Sequence, residues 1–449
     1  MRNTLAIAAA ENSFAAFMKT PGCFLRTSLP LVLASIVLFS GCSVLPNFHA
    51  RLPGNRAFIA YWPPAQDDKR LRLAVKDNID VKGVVTTAGS EHLVKANAPA
   101  AKDAPCLAIA RQRGVQIVGK ANLSEFAVAP SGVNEYFGTP RNPFNRWRKL
   151  IPGGSSCGSA VAVASGLADV AFGTDTAGSI RVPSACCGIV GLKTTHGLVP
   201  VEGVFPIEPE HLDTVGPMGK DIARTAQGMD LLQNGFAAKY EAAKAAKPSA
   251  QSIRIGRLKL QGTDPKIDQA VDDALARAGF QVVQLDDGLR EKWERAKGDG
   301  NTIAAAGAWI SDKRFRGTLG VSGRTRAAIL AGRIAYNTSY PKAVARQAAW
   351  QKTLRETFKK VDFIALPTLQ ATPPPIPPNL KIGLLEGLVL KQQNTVAVNF
   401  AGNPALAVPI PLRHANVPVT SLQLIGPRLS EAGLLNAGRF VEDAVKESM

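Results

Sequence analysis

Residues 170–193 read VAFGTDTAGSIRVPSACCGIVGLK, and two apolar runs in this stretch enclose a loop of small and hydroxyl-bearing residues. The runs VAFGTD (170–175) and CGIVGLKTT (187–195) have the length and the apolar content of buried strands. The loop Thr176-Ala177-Gly178-Ser179 carries almost no bulk. We therefore expect strand 170–175 to present this loop at the carboxyl end of a sheet, where open α/β folds place their ligands.

Helical and strand patterns alternate on the amino-terminal side of this stretch. PCLAIARQRG (105–114) reads as a helix, VQIVGKA (115–121) as a buried strand and SAVAVASGLAD (159–169) as a small-residue helix. This alternation indicates an α/β fold. We expect a mixed central β-sheet covered by helices on both faces and, since no repeat or linker is evident, one domain over residues 42–449.

Three stretches have a different composition. Residues 43–70 contain four prolines and are expected to be irregular. Residues 237–252 are rich in Ala and Lys, which fits either a solvated helix or a surface insertion. Residues 302–360 are basic and mostly helical in pattern.

Composition excludes several classes of protein. The chain has 449 residues, 46% of them hydrophobic, and a formal net charge of +18. Its basic residues are scattered, without the interleaved aromatics or the zinc-ligand spacing of nucleic-acid-binding domains, so we expect no nucleic-acid partner. The cysteines beyond the amino terminus are too few for a disulfide framework and are expected to be small buried residues: Cys106, Cys157, Cys186 and Cys187.

The amino terminus has the pattern of a signal peptide. A short basic segment begins at Met18, an apolar segment without charges follows at residues 28–39, and Ser40-Gly41-Cys42 comes next. We predict a lipoprotein-type signal over residues 1–41, with Met18 as an alternative start and Cys42 as the acylated residue. This prediction implies that the protein is lipid-anchored on the periplasmic side of a bacterial membrane. A cytoplasmic location is the alternative.

Ser179 is the candidate nucleophile, because a loop of small residues can direct several backbone N–H groups at a developing oxyanion. A serine also needs a base to take its proton. None of the five histidines lies in a compact motif with a serine. Lys76, at the end of the predicted strand beginning LRLAV, is a candidate if burial keeps it neutral. The loop 151–160 could place hydroxyl groups between Lys76 and Ser179.

These segments together resemble the amidase signature family. Several ordered motifs in one chain are more specific than any single motif. The resemblance rests on these segments: LAVKDNIDVKGVVTTAGS (73–90), GKANLSEFA (119–127), GTPRNPFN (138–145), PGGSSCGSAVAVASG (152–166), FGTDTAGSIRVPSACCGIVGLK (172–193), LDTVGPM (212–218) and NFAGNPALAVPIP (399–411).

The resemblance implies a Ser-Ser-Lys triad. Ser179 corresponds to the acyl nucleophile, Ser155 to the bridging serine with a cis peptide bond, and Lys76 to the neutral base. The backbone N–H groups of Thr176, Ala177, Gly178 and Ser179 correspond to the oxyanion hole. Asp175 and Arg181 correspond to residues that support the loop. The family chemistry requires no metal and no organic cofactor.

The sequence departs from the family pattern at the oxyanion loop, where Ala177 replaces a common glycine. If this residue needs a positive φ, alanine distorts the hole. A rival motif is G-x-S-x-G at residues 154–158, which makes Ser156 the nucleophile of an α/β-hydrolase elbow with His211 or His414 as base. The basic stretch before it is unlike the strand that an elbow requires. Cys157 is a weaker nucleophile candidate still.

The function predicted from these motifs is hydrolysis of a carboxylic amide C–N bond through an acyl-enzyme, with release of ammonia or an amine. The substrate is a small-molecule or peptide-like amide, contacted from segment 124–138 and the loops near 205–213 and 371–380. Two alternatives remain. The first is that the chain is a non-catalytic amidase-like lipoprotein. The second, which applies if the chain is cytosolic, is that it is similar to the subunits of the tRNA-dependent amidotransferases that share the signature.

Overall fold

The computed structural model describes residues 52–144, 149–377 and 382–446. The predicted signal over residues 1–41, with Met18 and Cys42, lies outside them. Eleven strands within the described residues form one sheet. They are β1 Phe58–Tyr61, β2 Arg72–Lys76, β3 Gln116–Ala121, β4 Val170–Asp175, β5 Val190–Lys193, β6 Thr214–Gly219, β7 Arg254–Arg257, β8 Gln281–Gln284, β9 Phe363–Pro367, β10 Ala405–Pro411 and β11 Val419–Ile425.

Helices connect most of these strands. In the described part of the chain, none of them is both long and apolar enough to cross a bilayer. They are α1 Glu91–Ala96, α2 Ala108–Gln112, α3 Cys157–Ala164, α4 Arg181–Cys187, α5 Ile222–Asp230, α6 Phe236–Ala246, α7 Pro265–Ala278, α8 Asp287–Asp312, α9 Gly323–Thr338, α10 Tyr340–Thr357, α11 Ile382–Gln392, α12 Val396–Ala401 and α13 Glu431–Lys446.

The sheet is mixed and is covered on both faces, as the sequence predicts. Its strand order is β1-β3-β2-β4-β6-β5-β10-β11-β9-β7-β8. Parallel pairs such as β2 with β4 stand beside antiparallel pairs such as β4 with β6. Alternate residues of β2 point to opposite faces. Leu73 and Val75 share a core with Met229 of α5, whereas Ala74 shares another with Val161 of α3.

The pairing of β2 with β4 places the predicted site residues together. These strands are parallel, with Leu73 opposite Val170 and Val75 opposite Phe172. Their carboxyl ends therefore reach the same edge of the sheet. Lys76 is the last residue of β2, and the loop that contains Ser179 starts where β4 ends.

Three elements differ from the sequence-based expectation. The stretch predicted to be irregular contains β1, which pairs with β3. The segment 214–219, with its proline and two glycines, forms the central strand β6 between β4 and β5. Helix α4 begins two residues after Ser179 and ends at Cys187, so the strand predicted over residues 187–195 is observed only as β5. Of the two alternatives for the Ala/Lys-rich stretch, the solvated helix is the one observed, as α6.

Candidate active site

Lys76 is buried at the end of β2, between the two serine-bearing loops. Its side chain is fully inaccessible, and its Nζ lies 2.7 Å from Ser155 Oγ and 2.7 Å from Thr174 Oγ1. Burial lowers the pKa of this amine to about 7, although Cys157, Asp175 and Asp213 act in the opposite direction. Desolvation disfavours the charged form of a lysine. A large share of Lys76 is therefore uncharged near neutral pH and able to accept a proton.

Ser155 occupies the position that the resemblance assigns to a bridging serine. It is fully buried, and the peptide bond between Gly154 and Ser155 is cis. The two serine-bearing loops meet where Ser156 N–H donates to the carbonyl of Ser179 at 3.2 Å. Among the described residues, no direct hydrogen bond joins the hydroxyls of Ser155 and Ser179. Catalytic hydrogen bonds often form fully only when substrate is bound.

In the loop of residues 176–179, the backbone conformation requires a glycine at position 178 but not at position 177. Gly178 has φ +137°, and a Cβ there would lie 2.3 Å from Thr395 Oγ1. Ala177 is not among the residues with positive φ. Its carbonyl accepts a hydrogen bond from Thr395 Oγ1 at 2.5 Å. The replacement of the usual glycine by Ala177 therefore imposes no left-handed strain on the loop.

Asp175 and Arg181 form a buried ion pair that spans this loop. Arg181 Nη2 lies 2.9 Å from Asp175 Oδ1, and both side chains are inaccessible. Burial by itself raises the pKa of Asp175, but the charge and hydrogen bonds of Arg181 outweigh it and lower the pKa to about 2. Arg181 also donates to Gln423 Oε1 at 2.7 Å, and Asn399 donates to Asp175 at 2.8 Å. The pair thus fixes both ends of the loop to the surrounding elements.

Asp213 is a supporting residue that the sequence reasoning did not single out. Its carboxylate accepts a hydrogen bond from Thr176 Oγ1 at 2.6 Å. It also accepts from the backbone N–H groups of Ile207 and Glu208 at 2.9 and 3.0 Å. Asp213 therefore connects the loop to segment 207–208. Its place in the motif LDTVGPM was the one available signal.

A cavity of about 390 Å³ opens over the loop, and Ser179 lies on its surface. Residues 127–130 and Ile207 line it, and they lie within the segments 124–138 and 205–213 that were predicted to contact substrate. The third predicted segment, 371–380, contributes none of the described lining residues. Residues of α8 and α9, which sequence reasoning treated only as helical, also line the cavity. Leu390 of α11 and Gln393, just after that helix, are further lining residues.

The rival nucleophiles are poorly placed in this arrangement. Ser156 is fully buried, and its hydroxyl donates to the carbonyl of Thr174 at 3.3 Å. No strand of the described chain leads directly into it, although an elbow requires one. Burial raises the pKa of Cys157 to about 12, so its reactive thiolate is scarce at neutral pH. The four cysteines of the described chain are free and buried, as predicted.

The histidines of the described residues take no part in this cluster. His196 Nε2 lies 3.1 Å from the carbonyl of Pro209, and His211 Nε2 lies 3.9 Å from Glu210. Neither they nor His414 form a hydrogen bond with Ser156 or Ser179 within residues 52–144, 149–377 and 382–446. In the same residues no group of three or more His, Cys, Asp and Glu side chains is arranged to hold a metal ion.

Comparison with known proteins agrees with this architecture. Residues 71–435 match the family model of the amidases. A glutamyl-tRNA(Gln) amidotransferase subunit of Halobacterium salinarum is 32% identical over 407 residues, which cover 82% of this chain and 94% of that protein. The 2-amino-5-chloromuconic acid deaminase of Comamonas testosteroni is 34% identical, and the match covers 83% of this chain and 81% of that protein.

A solved structure gives the same result for the fold. The crystal structure of a glutamyl-tRNA(Gln) amidotransferase subunit from Thermotoga maritima superposes with a TM-score of 0.71. The identity is 27%, and the match covers 86% of this chain and 87% of that one. The fold and the match along most of the chain define an α/β enzyme that hydrolyses amides. The chain belongs to the amidase family, as the sequence motifs indicated.

Proposed function

We propose that this amidase cleaves a carboxylic amide through a covalent acyl-enzyme on Ser179. The observation that carries the proposal is the contact of the buried, largely uncharged Lys76 with Ser155 at 2.7 Å. A neutral lysine in this position can receive the proton that Ser179 must lose. Ser155 is the only hydroxyl of the GGSS run that contacts Lys76 in the described structure.

The proposed reaction has two halves. Ser179 Oγ attacks the amide carbonyl while its proton passes to Ser155 and the proton of Ser155 passes to Lys76. The loop N–H groups of residues 176–179 stabilise the negative oxygen of the tetrahedral intermediate. The C–N bond then breaks, and the leaving nitrogen takes the proton back along the same path. Water then attacks the ester and passes a proton through Ser155 to Lys76. Ser179 takes that proton back as the ester C–O bond breaks and the carboxylic acid leaves.

A second candidate function is favoured by the relatives named as amidotransferase subunits. In that case the same acyl-enzyme chemistry releases ammonia from an amide donor, and the ammonia is used by a partner protein. This candidate requires a cytoplasmic chain, because transfer RNA is expected there. The pattern of residues 18–42 predicts a lipid anchor at Cys42 on the periplasmic side of a membrane, whereas the relatives favour the amidotransferase candidate.

The decisive assay measures ammonia or amine release from a panel of simple amides, with L-glutamine included. We expect Ser179→Ala to lower the rate by at least about 1,000-fold, as loss of a nucleophile does. Ser156→Ala is the matched control and is expected to retain most activity. Equal losses in both variants contradict the assignment of Ser179.

The location is tested in the bacterial host by fractionation of the wild-type chain and of Cys42→Ser. A lipid anchor predicts that the wild type enters the membrane fraction and that the variant is not acylated. An unprocessed wild-type chain in the soluble cytoplasmic fraction contradicts the anchor and favours the amidotransferase candidate.

A further inference from the structure

The cavity over Ser179 has a wall built from short side chains. Asn301, Ala304, Ala305 and Ala308 lie three and four residues apart on α8, so they share one face of the helix. Ala328 of α9 continues the same wall. These two helices pack closely at Gly332 of α9. A Cβ at that position would lie only 2.3 Å from the carbonyl oxygen of Ala305. The alanines leave open a volume that larger residues would fill.

The described residues that line this cavity include no Asp, Glu, Lys, Arg or His. Two ionisable groups near the loop of residues 176–179, Asp213 and Lys76, make their hydrogen bonds with other residues of the protein. Asp213 accepts its hydrogen bonds from Thr176 and from the backbone of segment 207–208. Lys76 lies behind Ser155. A charged group brought into the cavity would lose much of its hydration without gaining an ionic partner, which is strongly unfavourable.

One polar side chain of the cavity has unused hydrogen-bonding capacity. Gln393 is 1% exposed, and its Nε2 has no hydrogen-bond partner in the part of the chain that the structure describes. A buried donor of this kind is costly unless it is satisfied. A neutral acceptor oxygen on a bound substrate can satisfy it without bringing a charge into the cavity.

We propose that the acyl group taken by this cavity is uncharged and largely apolar, with at most a neutral acceptor oxygen facing Gln393, and that acyl groups bearing a carboxylate are excluded. The inference rests on the proposed acyl-enzyme chemistry and names its substrate class. Free glutamine, which carries a carboxylate and an ammonium group, falls outside that class.

The test compares two amides of the same length. Hexanamide and adipic acid monoamide differ only in that a terminal carboxylate replaces a methyl group. We expect kcat/KM to be at least about 100-fold higher for hexanamide, because the described residues that line the cavity offer the carboxylate no ionic partner. L-Glutamine is expected to react as poorly as the monoamide. Comparable kcat/KM values for hexanamide and either charged substrate overturn the inference.

Variants of Ala328 test the role of charge in the wall. Ala328→Arg is expected to raise kcat/KM for adipic acid monoamide relative to hexanamide by about 10-fold or more. Ala328→Met adds bulk without charge and is expected to leave the ratio near the wild-type value. If both variants change the ratio equally, size rather than charge governs selection, and the inference is wrong.

Labelling of Ser179 by a fluorophosphonate separates this inference from the proposed function. If Ser179 is labelled but hexanamide is not hydrolysed, the substrate class is wrong while the nucleophile stands. If Ser179 is not labelled and no amide is hydrolysed by the folded protein, the proposed function itself fails, and the inference fails with it.

Discussion

At the scale of single residues, the site depends on a lysine that is kept uncharged by burial. Within the described structure, Lys76 has no carboxylate at hydrogen-bonding distance; its polar contacts are the hydroxyls of Ser155 and Thr174. A salt bridge would have stabilised its charged form. Another buried lysine of this region, Lys120, is paired with Asp77 at 3.0 Å. Of these two buried lysines, one therefore contacts a carboxylate and the other contacts only hydroxyl groups, which is why we propose Lys76 as the base.

The pH dependence of catalysis follows from the pKa of Lys76, which is about 7. The base must be unprotonated, so kcat/KM is low below this pKa and rises as the pH passes through it. We expect a rising limb with an apparent pKa near 7 in a pH–rate profile. Ser156→Ala should keep the same profile. A profile that is flat between about pH 6 and 9 contradicts the role of Lys76 as base.

The oxyanion loop gives a prediction from two neighbouring residues. Gly178→Ala places a Cβ against Thr395 in a backbone conformation with φ +137°. We expect kcat to fall by about 100-fold or more, the loss typical of a damaged oxyanion hole. Ala177→Gly removes only a methyl group from a residue without positive φ, and should change kcat by less than about 3-fold. The reverse order of effects contradicts the described loop geometry.

At the scale of elements, strand β4, the loop and helix α4 are held as one unit by the Asp175–Arg181 pair. Arg181→Met leaves the buried carboxylate of Asp175 without its cation. We expect the free energy of unfolding in urea to fall by about 3–5 kcal/mol. Arg111→Met, which breaks the surface pair with Asp103, is the matched control and should cost less than about 1 kcal/mol. Similar losses in both variants contradict the structural role of the buried pair.

The elements also show how far sequence reasoning reaches. Strand β4 was predicted with its observed bounds, because its apolar run ends sharply at the small residues of the loop. Strand β6 was not predicted, because Gly216 and Pro217 look like a turn. In the fold, a Cβ on Gly216 would lie 2.1 Å from the carbonyl of Leu192, so the glycine allows close strand packing. Tertiary pairing here overrides local propensity.

In the candidate site, too, some residues could be predicted from the sequence and others could not. Lys76, Ser155 and the loop 176–179 could be predicted because each lies in a compact motif. The alanine wall of α8 and α9 could not be predicted, because alanines at helical spacing look the same whether they face a core, solvent or a cavity. Gln393 was missed for a similar reason, since only the folded chain shows that its Nε2 is buried and that no described residue bonds to it.

At the scale of the whole molecule, a buried acid should make stability depend on pH. Asp312, at the end of α8, is 1% exposed, and neither of its oxygens has a hydrogen-bond partner in the described structure. Burial raises its pKa to about 8; Arg314 acts to lower it and Asp213 to raise it. The folded chain therefore holds a proton that the unfolded chain loses near pH 4. The contribution of Asp312 to stability must fall as the pH rises from about 4 to 8.

Replacement of this acid tests that relation. Asp312→Asn keeps the shape of the protonated carboxyl and cannot ionise. We expect the variant to gain free energy of unfolding relative to the wild type at pH 8, and to gain less at pH 5. Urea unfolding at both pH values measures the difference. A gain that is the same at both values contradicts the raised pKa.

The central claim is that Ser179 is the nucleophile and that Lys76 activates it. The most direct test is covalent labelling of the purified protein with a fluorophosphonate, with the modified residue located by peptide mass spectrometry and Lys76→Ala as the control. We predict an adduct on Ser179 that is lost in the control. An adduct on Ser156, or an adduct on Ser179 that forms equally fast without Lys76, contradicts the claim.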